Sequence, residues 1–303
     1  MPDVWRLGEP TERARVAIVG CGGAGCNSRR HVVAPPNAER IAVNDAPHPS
    51  MAGVPRRILV RPDVLQGFAV MDERIVEKME THEEKDLAAA FLNRDLVLAL
   101  GGLGGELGGW GLSLVGRVAR ILGDTTLALA TVPFTAEGRI RREAAEAQLA
   151  LLRRKADGVV TFANDELLRL APDLPFVKSF AVLGSAMARL ASDLSACVAR
   201  DDVVPLRRLL ARSRDWRFGM GSGTEKHRCF LAVDEAYRSP WFTGRREDVR
   251  QAVVLIQRPA DLPVEEELLH EVRIRSPLAD VSWAVLPAPA SADRVLVEIL
   301  AGL

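Results

Sequence analysis

The stretch Arg15-Val-Ala-Ile-Val-Gly-Cys-Gly-Gly-Ala-Gly-Cys-Asn27 carries the most information in this chain, because an apolar segment runs directly into a glycine-rich turn. The apolar residues predict a buried β-strand, and we expect a helix after the turn. Glycines in the turn can adopt positive φ and let the backbone approach a ligand closely. Backbone N–H groups and the positive end of the helix then face an anion. The stretch therefore predicts a phosphate-binding loop.

The sequence of the loop alone allows several interpretations. Gly20, Gly22 and Gly25 also satisfy the G-x-G-x-x-G pattern of dinucleotide-binding proteins, and Asp45 follows 20 residues later, at the end of a second apolar segment. An acidic residue there would bind a ribose hydroxyl in such a protein. A glycine-rich turn without any ligand is a further interpretation, since the motif also occurs by chance. Later segments of the chain must decide.

Composition limits the class of protein. The 303 residues are enough for two domains, and a hydrophobic content of 48% provides for buried cores. The 40 basic residues balance the 40 acidic ones, so charge gives no reason to expect nucleic acid or an anionic membrane as a partner. The sequence contains no apolar run long enough for a membrane span, and its N-terminus lacks a signal-peptide core. We expect a cytoplasmic globular protein.

The cysteines give no metal or disulfide pattern. Cys21, Cys26, Cys197 and Cys229 contain no C-x-x-C pair, which argues against a zinc site and against a disulfide framework. Reduced thiols are expected in a cytoplasm. Cys26 would lie in the first turn of a helix, where the dipole can lower its pKa, although a small filler residue is the simpler interpretation. No metal site is predicted.

Predicted strands and helices alternate through the first part of the chain, which is typical of a parallel, doubly wound α/β sheet. The predicted strands there include 40–45, 95–100, 125–131 and 158–162, and the predicted helices include 71–92, 136–154 and 176–198. Between 101 and 111 lies a second glycine-rich loop, followed by a helix to Leu122.

Beyond Asp201 the pattern changes to helix, strand and helix (the last from Glu225), and then to three strands around an acidic helix at 264–272. This pattern predicts a smaller C-terminal α+β domain. We expect a nucleotide-binding domain over 13–175, a long central helix over 176–200 and the α+β domain over 201–303. The last predicted strand runs nearly to the end of the chain, so we expect no C-terminal tail for adaptor proteins.

The order of motifs resembles the tubulin/FtsZ superfamily, and the likeness to FtsZ extends from about residue 15 to the end. The first loop resembles the family's G-x-G-G-A-G-x-N, and Ile41-Ala-Val-Asn44 resembles its second loop. Pro133-Phe-Thr-Ala-Glu-Gly-Arg-Ile-Arg141 resembles P-F-x-F-E-G-K-x-R. Thr161-Phe-Ala-Asn-Asp-Glu-Leu-Leu168 resembles T-I-P-N-D-x-L-L, and Phe218-Gly-Met-Gly-Ser-Gly223 resembles the M-G-x-G segment of the second domain. A dinucleotide-dependent oxidoreductase has no reason to carry the later motifs.

The resemblance implies a site for GTP or GDP and leaves a role for Mg²⁺ open. It implies that Glu137 and Arg141 reach the ribose and the terminal phosphate, and that Asn164 contacts guanine. These side chains suit the roles, since arginine forks onto phosphate oxygens and an amide pairs with a purine edge. Taken alone, Glu137 and Arg141 would simply pair with each other, and Asn164 would cap a helix. The other residues implied to bind the nucleotide are Gly20, Gly22, Gly23, Ala24, Asn27, Asn44, Gly104, Gly105 and Gly108.

Two departures from the family concern nucleotide binding. The signature loop G-G-G-T-G-T-G aligns with Gly104-Gly-Glu-Leu-Gly-Gly-Trp110, which lacks both threonine hydroxyls and carries Glu106. A carboxylate about 4 Å from a phosphate oxygen would oppose binding by roughly 4 kcal/mol at an effective dielectric constant of about 20, unless it points to solvent or caps the next helix. Gly184-Ser185 stands where the family has Asn-Asp, so guanine selectivity should fall. We expect weakened nucleotide binding.

A third departure concerns hydrolysis. The loop after the long helix resembles N-x-D-x-x-D, whose acidic side chains act on the nucleotide of the next subunit in a filament. Here the loop is Arg200-Asp-Asp-Val-Val-Pro205. Asp202 matches the first acid, and Pro205 replaces the second. Asp202 is therefore the one catalytic candidate, and we expect hydrolysis to be slow or absent.

The sequence thus predicts a divergent FtsZ-like protein that binds guanine nucleotide and associates head to tail, with itself or with a true FtsZ. An alternative from another class is a nucleotide-free structural regulator or cap of an FtsZ filament. A dinucleotide-dependent oxidoreductase is less favoured, because Asp45 is its only supporting acid and no histidine or lysine stands in a recognisable catalytic context.

Overall fold

The computed structural model describes residues 4–7, 12–61, 81–213, 215–288 and 294–303. Its strands are β1 Val4–Arg6, β2 Val16–Cys21, β3 Ala38–Asn44, β4 Arg56–Leu59, β5 Leu96–Gly102, β6 Thr125–Val132, β7 Gly158–Ala163, β8 Asp215–Thr224, β9 Gln251–Arg258, β10 Asp280–Pro287 and β11 Arg294–Gly302. Within the described ranges its α-helices are α1 Gly22–Arg30, α2 His82–Phe91, α3 Glu106–Leu122, α4 Arg139–Lys155, α5 Asn164–Leu170, α6 Phe176–Cys197, α7 Val203–Ser213, α8 Arg228–Tyr237 and α9 Glu265–Arg275.

The described strands form one 11-stranded sheet with the order β1-β10-β9-β11-β8-β7-β6-β5-β2-β3-β4. Strand β11 pairs antiparallel with both β8 and β9, and the other neighbouring strands are parallel. Helices cover both faces of the part formed by β2 to β7: α6 packs on one face and α3 on the other. The predicted doubly wound α/β fold is confirmed.

Strand β2 shows why this half folds as it does. All of its residues are buried, and they alternate between the two cores, with Val16 and Ile18 facing α6 and Ala17 and Val19 facing α3. Such double burial is typical of a central parallel strand. Strands β3 and β5 flank β2 on opposite sides, so the order in which successive strands join the sheet reverses at β2. In sheets of this kind, ligands bind at the carboxyl ends of the strands beside that reversal of strand order.

The C-terminal part continues the same sheet. Strand β8 joins β7 through the register pairs Val159–Asp215 and Val160–Trp216. Helix α6 packs in a core that includes strand residues from both parts, among them Leu98 and Leu255. Helices α8 and α9 bury a further core against β9, β10 and β11. The long central helix and the smaller α+β part are confirmed, whereas the limits at 175 and 200 stay predictions.

Several element boundaries differ from the sequence prediction. Helix α3 begins at Glu106, so Gly108 and Gly109 are helical rather than part of a loop that extends to residue 111. Helix α4 begins at Arg139 instead of 136, because Gly138 adopts a φ of 99°, which ends the preceding turn. Helix α8 begins at Arg228 instead of Glu225, after a short 3₁₀ turn.

Two strands were not predicted. Strand β4 lies inside the segment expected to be an irregular connection over 47–62, and β1 adds to the edge of the C-terminal sheet beside β10. Both are very short, so their apolar pattern carries little signal. Helix α2 begins at His82, capped by Thr81, and the part of the predicted helix over 71–80 lies outside the described residues. Among the described helices, none combines the length and apolar character needed to cross a bilayer.

Candidate functional site

A cavity of about 200 Å³ opens where the first glycine loop meets the second, at the carboxyl ends of β2, β5 and β6. The cavity therefore lies beside the reversal of strand order at β2, as expected for a ligand site in this fold. The residues that line it are Cys21, Gly22, Gly23, Ala24, Gly102, Leu103, Gly105, Leu107, Gly108, Thr131, Pro133, Glu137, Arg141, Asn164 and Phe180.

The first loop requires glycine for two different reasons. Gly22 adopts a φ of +66°, a conformation that residues with a side chain rarely adopt. A Cβ atom at Gly25 would lie 2.0 Å from the Leu100 carbonyl oxygen, so α1 packs directly on the end of β5. Gly23 is different, since a Cβ atom there would meet nothing within 4 Å. The open space at Gly23 belongs to the cavity.

Helix α1 starts at this cavity without a side-chain cap. Its N-cap residue, Cys21, provides no side-chain hydrogen bond to the first turn. The first N–H groups of a helix have no partner within the helix, and they carry the positive end of its dipole. The N-terminus of α1, at the wall of a cavity, is therefore suited to an anion.

A second helix starts at the same cavity. Helix α3 follows Gly105, which also gives no side-chain cap. The two helix starts are close together, since a Cβ atom at Gly22 would lie 3.2 Å from the backbone nitrogen of Gly108. Gly108 in turn packs on β5, where its Cβ atom would lie 2.0 Å from the Gly102 carbonyl oxygen. Two positive helix ends thus converge on one small volume, which favours a ligand with more than one negative charge.

Glu137 and Arg141 form an ion pair on the cavity wall. Arg141 Nη1 lies 3.1 Å from Glu137 Oε2, and the other oxygen of Glu137 accepts a hydrogen bond from the Phe134 backbone nitrogen at 2.8 Å. The Arg141 side chain is 51% exposed, so its guanidinium group is open to a ligand. The pairing expected for these two residues taken alone is therefore present, and both side chains also face the cavity.

Asn164 and Phe180 line another part of the wall. Asn164 is 3% exposed, and its Oδ1 atom is buried without a hydrogen-bond partner in the described structure. Phe180 is exposed on α6, with 50% of its surface accessible, and its ring meets that of Phe134 edge to face at 5.6 Å. A buried acceptor without a donor is costly, and a ligand N–H group in the cavity would satisfy it. Phe180 was not predicted; the available signal was an aromatic residue near the start of the central helix.

Four of the expected binding residues do not line the cavity. Gly20 lies behind it, where a Cβ atom would be 2.6 Å from the Gly25 carbonyl oxygen. Gly104 packs under Arg141, whose carbonyl oxygen lies 2.7 Å from the Gly104 Cβ position. Asn27 is exposed on α1. Asn44 is buried at the end of β3 and donates a hydrogen bond to the Ala46 carbonyl oxygen at 3.1 Å.

The residues that depart from the family pattern also have defined places. Glu106 is exposed at the first residue of α3 and is not part of the cavity wall, so the geometry favours its helix-end interpretation over a contact with phosphate. At Gly184 a Cβ atom would lie 3.1 Å from Ser28 Oγ, so glycine lets α6 pack closely on α1. Ser185 lines a different cavity, between α6 and the C-terminal sheet. Asp45 is exposed and does not line the cavity between the glycine loops.

Asp202 lies near the amino ends of the central strands, opposite the cavity at their carboxyl ends. Val198, four residues before Asp202, accepts a hydrogen bond from the backbone nitrogen of Ala14, two residues before the start of β2. The cavity is at the other end of that strand. Asp202 is 7% exposed and accepts a hydrogen bond from the Ala199 backbone nitrogen at 3.1 Å. It is thus out of reach of the cavity in its own subunit. Its role in catalysis stays a prediction, and only a neighbouring subunit would bring it to a ligand.

The cysteines are buried and free. Burial raises the pKa of the Cys21 and Cys26 thiols, so the lowering considered for Cys26 is wrong, and the filler interpretation fits better. The Cys26 thiol donates a hydrogen bond to the Gly20 carbonyl oxygen at 3.2 Å. In the described ranges, no group of three or more histidine, cysteine, aspartate or glutamate residues is arranged to hold a metal ion.

Known proteins resemble the chain in both sequence and structure, although no protein-family model matches it. It is 32% identical over 283 residues to the cell division protein FtsZ of Methanothermobacter thermautotrophicus, an alignment that covers 89% of this chain and 74% of that protein. It is 28% identical over 300 residues to FtsZ 1 of Pyrococcus horikoshii, covering 95% and 80%.

Solved structures share the fold. An empty FtsZ dimer from M. jannaschii superposes with a TM-score of 0.83 at 22% identity, covering 96% of this chain and 88% of that one. CetZ2 from Haloferax volcanii superposes with a TM-score of 0.72 at 17% identity, covering 95% and 92%. The structural likeness extends over almost the whole chain, and the sequence likeness to the two archaeal relatives covers 89% and 95% of it. The chain belongs to the FtsZ family of the tubulin superfamily.

Proposed function

We propose that this FtsZ-family protein binds a guanine nucleotide in the cavity between its glycine loops and associates head to tail, with slow or absent hydrolysis. The observation that carries the proposal is the combination of groups around that cavity. Two uncapped helix N-termini converge at one part of it, beside the exposed guanidinium group of Arg141. The buried, unpartnered Oδ1 atom of Asn164 lies at another part, with the ring of Phe180.

These groups fit a nucleotide in a consistent orientation. The phosphates would lie on the N–H groups of α1 and α3, where positive helix ends and the open space at Gly23 receive them. Arg141 would pair with a phosphate oxygen in the fork geometry that arginine favours. The Asn164 amide would pair with the purine edge, with its Oδ1 atom accepting from an N–H group of the base. Phe180 would offer an apolar surface to the ring.

The proposal of weak hydrolysis depends on the loop around Asp202. Positioned acid and base groups typically contribute about 10² to 10⁴-fold to a rate, and Pro205 replaces the second acid expected from the family pattern. Asp202 lies at the end of the molecule opposite the cavity, so it would meet a nucleotide only by head-to-tail association. Two solved structural neighbours support that mode of assembly, since CetZ2 is described as a GTPγS-bound protofilament and TubZ of Bacillus thuringiensis as GDP-form protofilaments.

Identification of the bound ligand tests the proposal. Purified protein would be denatured, and any released nucleotide would be identified by chromatography. We expect GDP or GTP. Release of NAD would overturn the proposal in favour of an oxidoreductase. If nothing is released and titration calorimetry with GTP and GDP gives no heat of binding, the nucleotide-free regulator of an FtsZ filament replaces it.

Assembly and turnover require a separate measurement. Sedimentation with GTP, with GDP and without nucleotide would be carried out alone and with an active FtsZ from the same cell, while released phosphate is assayed. We expect pelleting that does not cycle with phosphate release. A protein that stays monomeric in all mixtures would contradict the head-to-tail part of the proposal, and phosphate release at the rate of the active FtsZ would contradict slow hydrolysis.

A further inference from the structure

Gln148 holds the second glycine loop from behind. It lies on α4, is 1% exposed and is not part of the cavity wall. Its Oε1 atom accepts a hydrogen bond from the Gly104 backbone nitrogen at 2.7 Å, and its Nε2 atom donates to the Gly105 carbonyl oxygen at 2.8 Å. One side chain thus binds two consecutive residues of the loop, in opposite senses, directly before the first residue of α3.

The same side chain fills the space beside Gly109. A Cβ atom at Gly109 would lie 2.0 Å from Gln148 Oε1 and 2.2 Å from its Cδ atom, so any side chain there would displace the amide. In the alignment with the G-G-G-T-G-T-G loop, Gly109 stands at the second threonine. The volume next to the loop that a threonine side chain would enter is therefore occupied by an amide from another helix.

We propose that Gln148 is a positioning residue of the phosphate site: its side chain occupies the volume that the second threonine of the family's loop would enter, and it fixes the backbone at the start of α3. The inference rests on the proposed nucleotide site. Gln148 does not touch the ligand; it holds Gly104 and Gly105 so that the N–H groups at the start of α3 face the cavity before a ligand arrives. A loop that is already ordered loses less entropy on binding.

The ligand that reports this role is one that carries phosphate. We expect Gln148→Ala to weaken the binding of GDP about tenfold, the order expected when two buried hydrogen bonds that order a binding loop are lost. Binding of guanosine, which has no phosphate, should stay within about twofold. Equal losses for GDP and guanosine would overturn the proposal, because they would indicate general damage to the fold. Gln251→Ala is the matched control, since Gln251 is also buried but lies in β9, where Ser213 donates a hydrogen bond to it.

The overlap between the Gln148 side chain and the space that a threonine at position 109 would need predicts a compensating pair of substitutions. Gly109→Thr alone should abolish or strongly weaken GDP binding, because the new side chain collides with Gln148. The double variant Gly109→Thr with Gln148→Ala removes that collision, and we expect its affinity for GDP to return to within about threefold of the original protein. Purely additive effects of the two substitutions would contradict the inference. If Gly109→Thr does not fold alone, Gly109→Ala replaces it in the cycle.

Hydrogen exchange separates failure of this inference from failure of the proposed function. In the protein without nucleotide, the Gly104 amide hydrogen is bonded to Gln148 and should exchange slowly, and Gln148→Ala should accelerate its exchange at least tenfold. Unchanged exchange would overturn the role of Gln148 whatever the ligand. Accelerated exchange in a protein that binds no GDP would support the loop anchor and overturn the nucleotide site.

Discussion

A buried carboxyl group between the central helix and the C-terminal sheet gives a sharp prediction about pH. Glu298 lies in β11, is 1% exposed, and neither of its oxygens accepts a hydrogen bond from the residues that the structure describes. Arg189 on α6 brings its Nε atom to 3.2 Å from Glu298 Oε1, but it also donates to Asp193 at 2.6 Å and to Gln257 at 2.6 Å. One cation is therefore shared by two carboxyl groups.

Burial is the main cause that raises the pKa of Glu298 well above its usual value; the neighbouring Asp193 carboxylate raises it further, and Arg189 opposes both. The folded protein consequently keeps a proton on Glu298 at pH values where the unfolded chain, with a carboxyl pKa near 4.3, has lost it. The unfolded state binds fewer protons, so the free energy of unfolding falls as pH rises, by up to about 1.4 kcal/mol per pH unit, until the folded pKa is passed. The stabilisation is complete only below the unfolded pKa.

The substitution Glu298→Gln removes the titrating carboxyl group while it keeps the size and shape of the side chain. We expect the urea midpoint of the original protein to fall more steeply between pH 5.5 and pH 8 than that of the variant, so that the variant becomes relatively more stable as pH rises. Other titrating groups, including Asp124, whose burial raises its pKa to about 6, are common to both proteins and cancel in the difference. Glu266→Gln, at an exposed carboxyl group in α9, is the control. Parallel midpoint curves for Glu298→Gln and the original protein would refute the reasoning.

Three further predictions test the proposed nucleotide cavity. Gly25→Ala should prevent folding or cost several kcal/mol in urea unfolding, since its Cβ atom would lie 2.0 Å from a strand carbonyl oxygen. Gly23→Ala should fold normally and weaken GDP binding in calorimetry. Equal stability of the two variants would contradict the loop geometry. Asn164→Ala should weaken the binding of guanosine and of GDP about tenfold each, with Asn27→Ala as the exposed control. A loss of affinity with Asn27→Ala as large as with Asn164→Ala would contradict the assignment of Asn164 to the cavity wall. Glu106→Thr should change GDP affinity by less than about threefold, because Glu106 faces solvent; a tenfold gain would indicate that the carboxylate faces the phosphates.

Local patterns in the sequence predicted the fold and one part of the site. The apolar run into Gly20 and Gly22 indicated a strand, a phosphate loop and a helix, because glycine conformation and strand burial depend on a few neighbouring residues. The order of several weak motifs indicated the family, which the archaeal relatives confirm. Glu137, Arg141 and Asn164 were assigned through that order, and the structure brings all three to one cavity wall.

Contacts between segments that are distant in the sequence determined which other residues line the cavity. The sequence predicted that Asn27 and Asn44 belong to the site; Asn27 is exposed on α1, Asn44 is buried at the end of β3, and neither lines the cavity. Their contact with a nucleotide stays a prediction. Phe180 reaches the wall only because α6 crosses α1.

The sequence alone determined that this chain has a glycine-rich loop in an FtsZ-type α/β fold, because those features depend on short segments and on their order. Only the tertiary structure showed that Gln148 fills the space beside Gly109, 39 positions away, and that Glu298 is buried against Arg189 on another element. The physical reason is that the environment of a polar side chain, its partners and its loss of water, is created by packing between elements that are far apart in the chain.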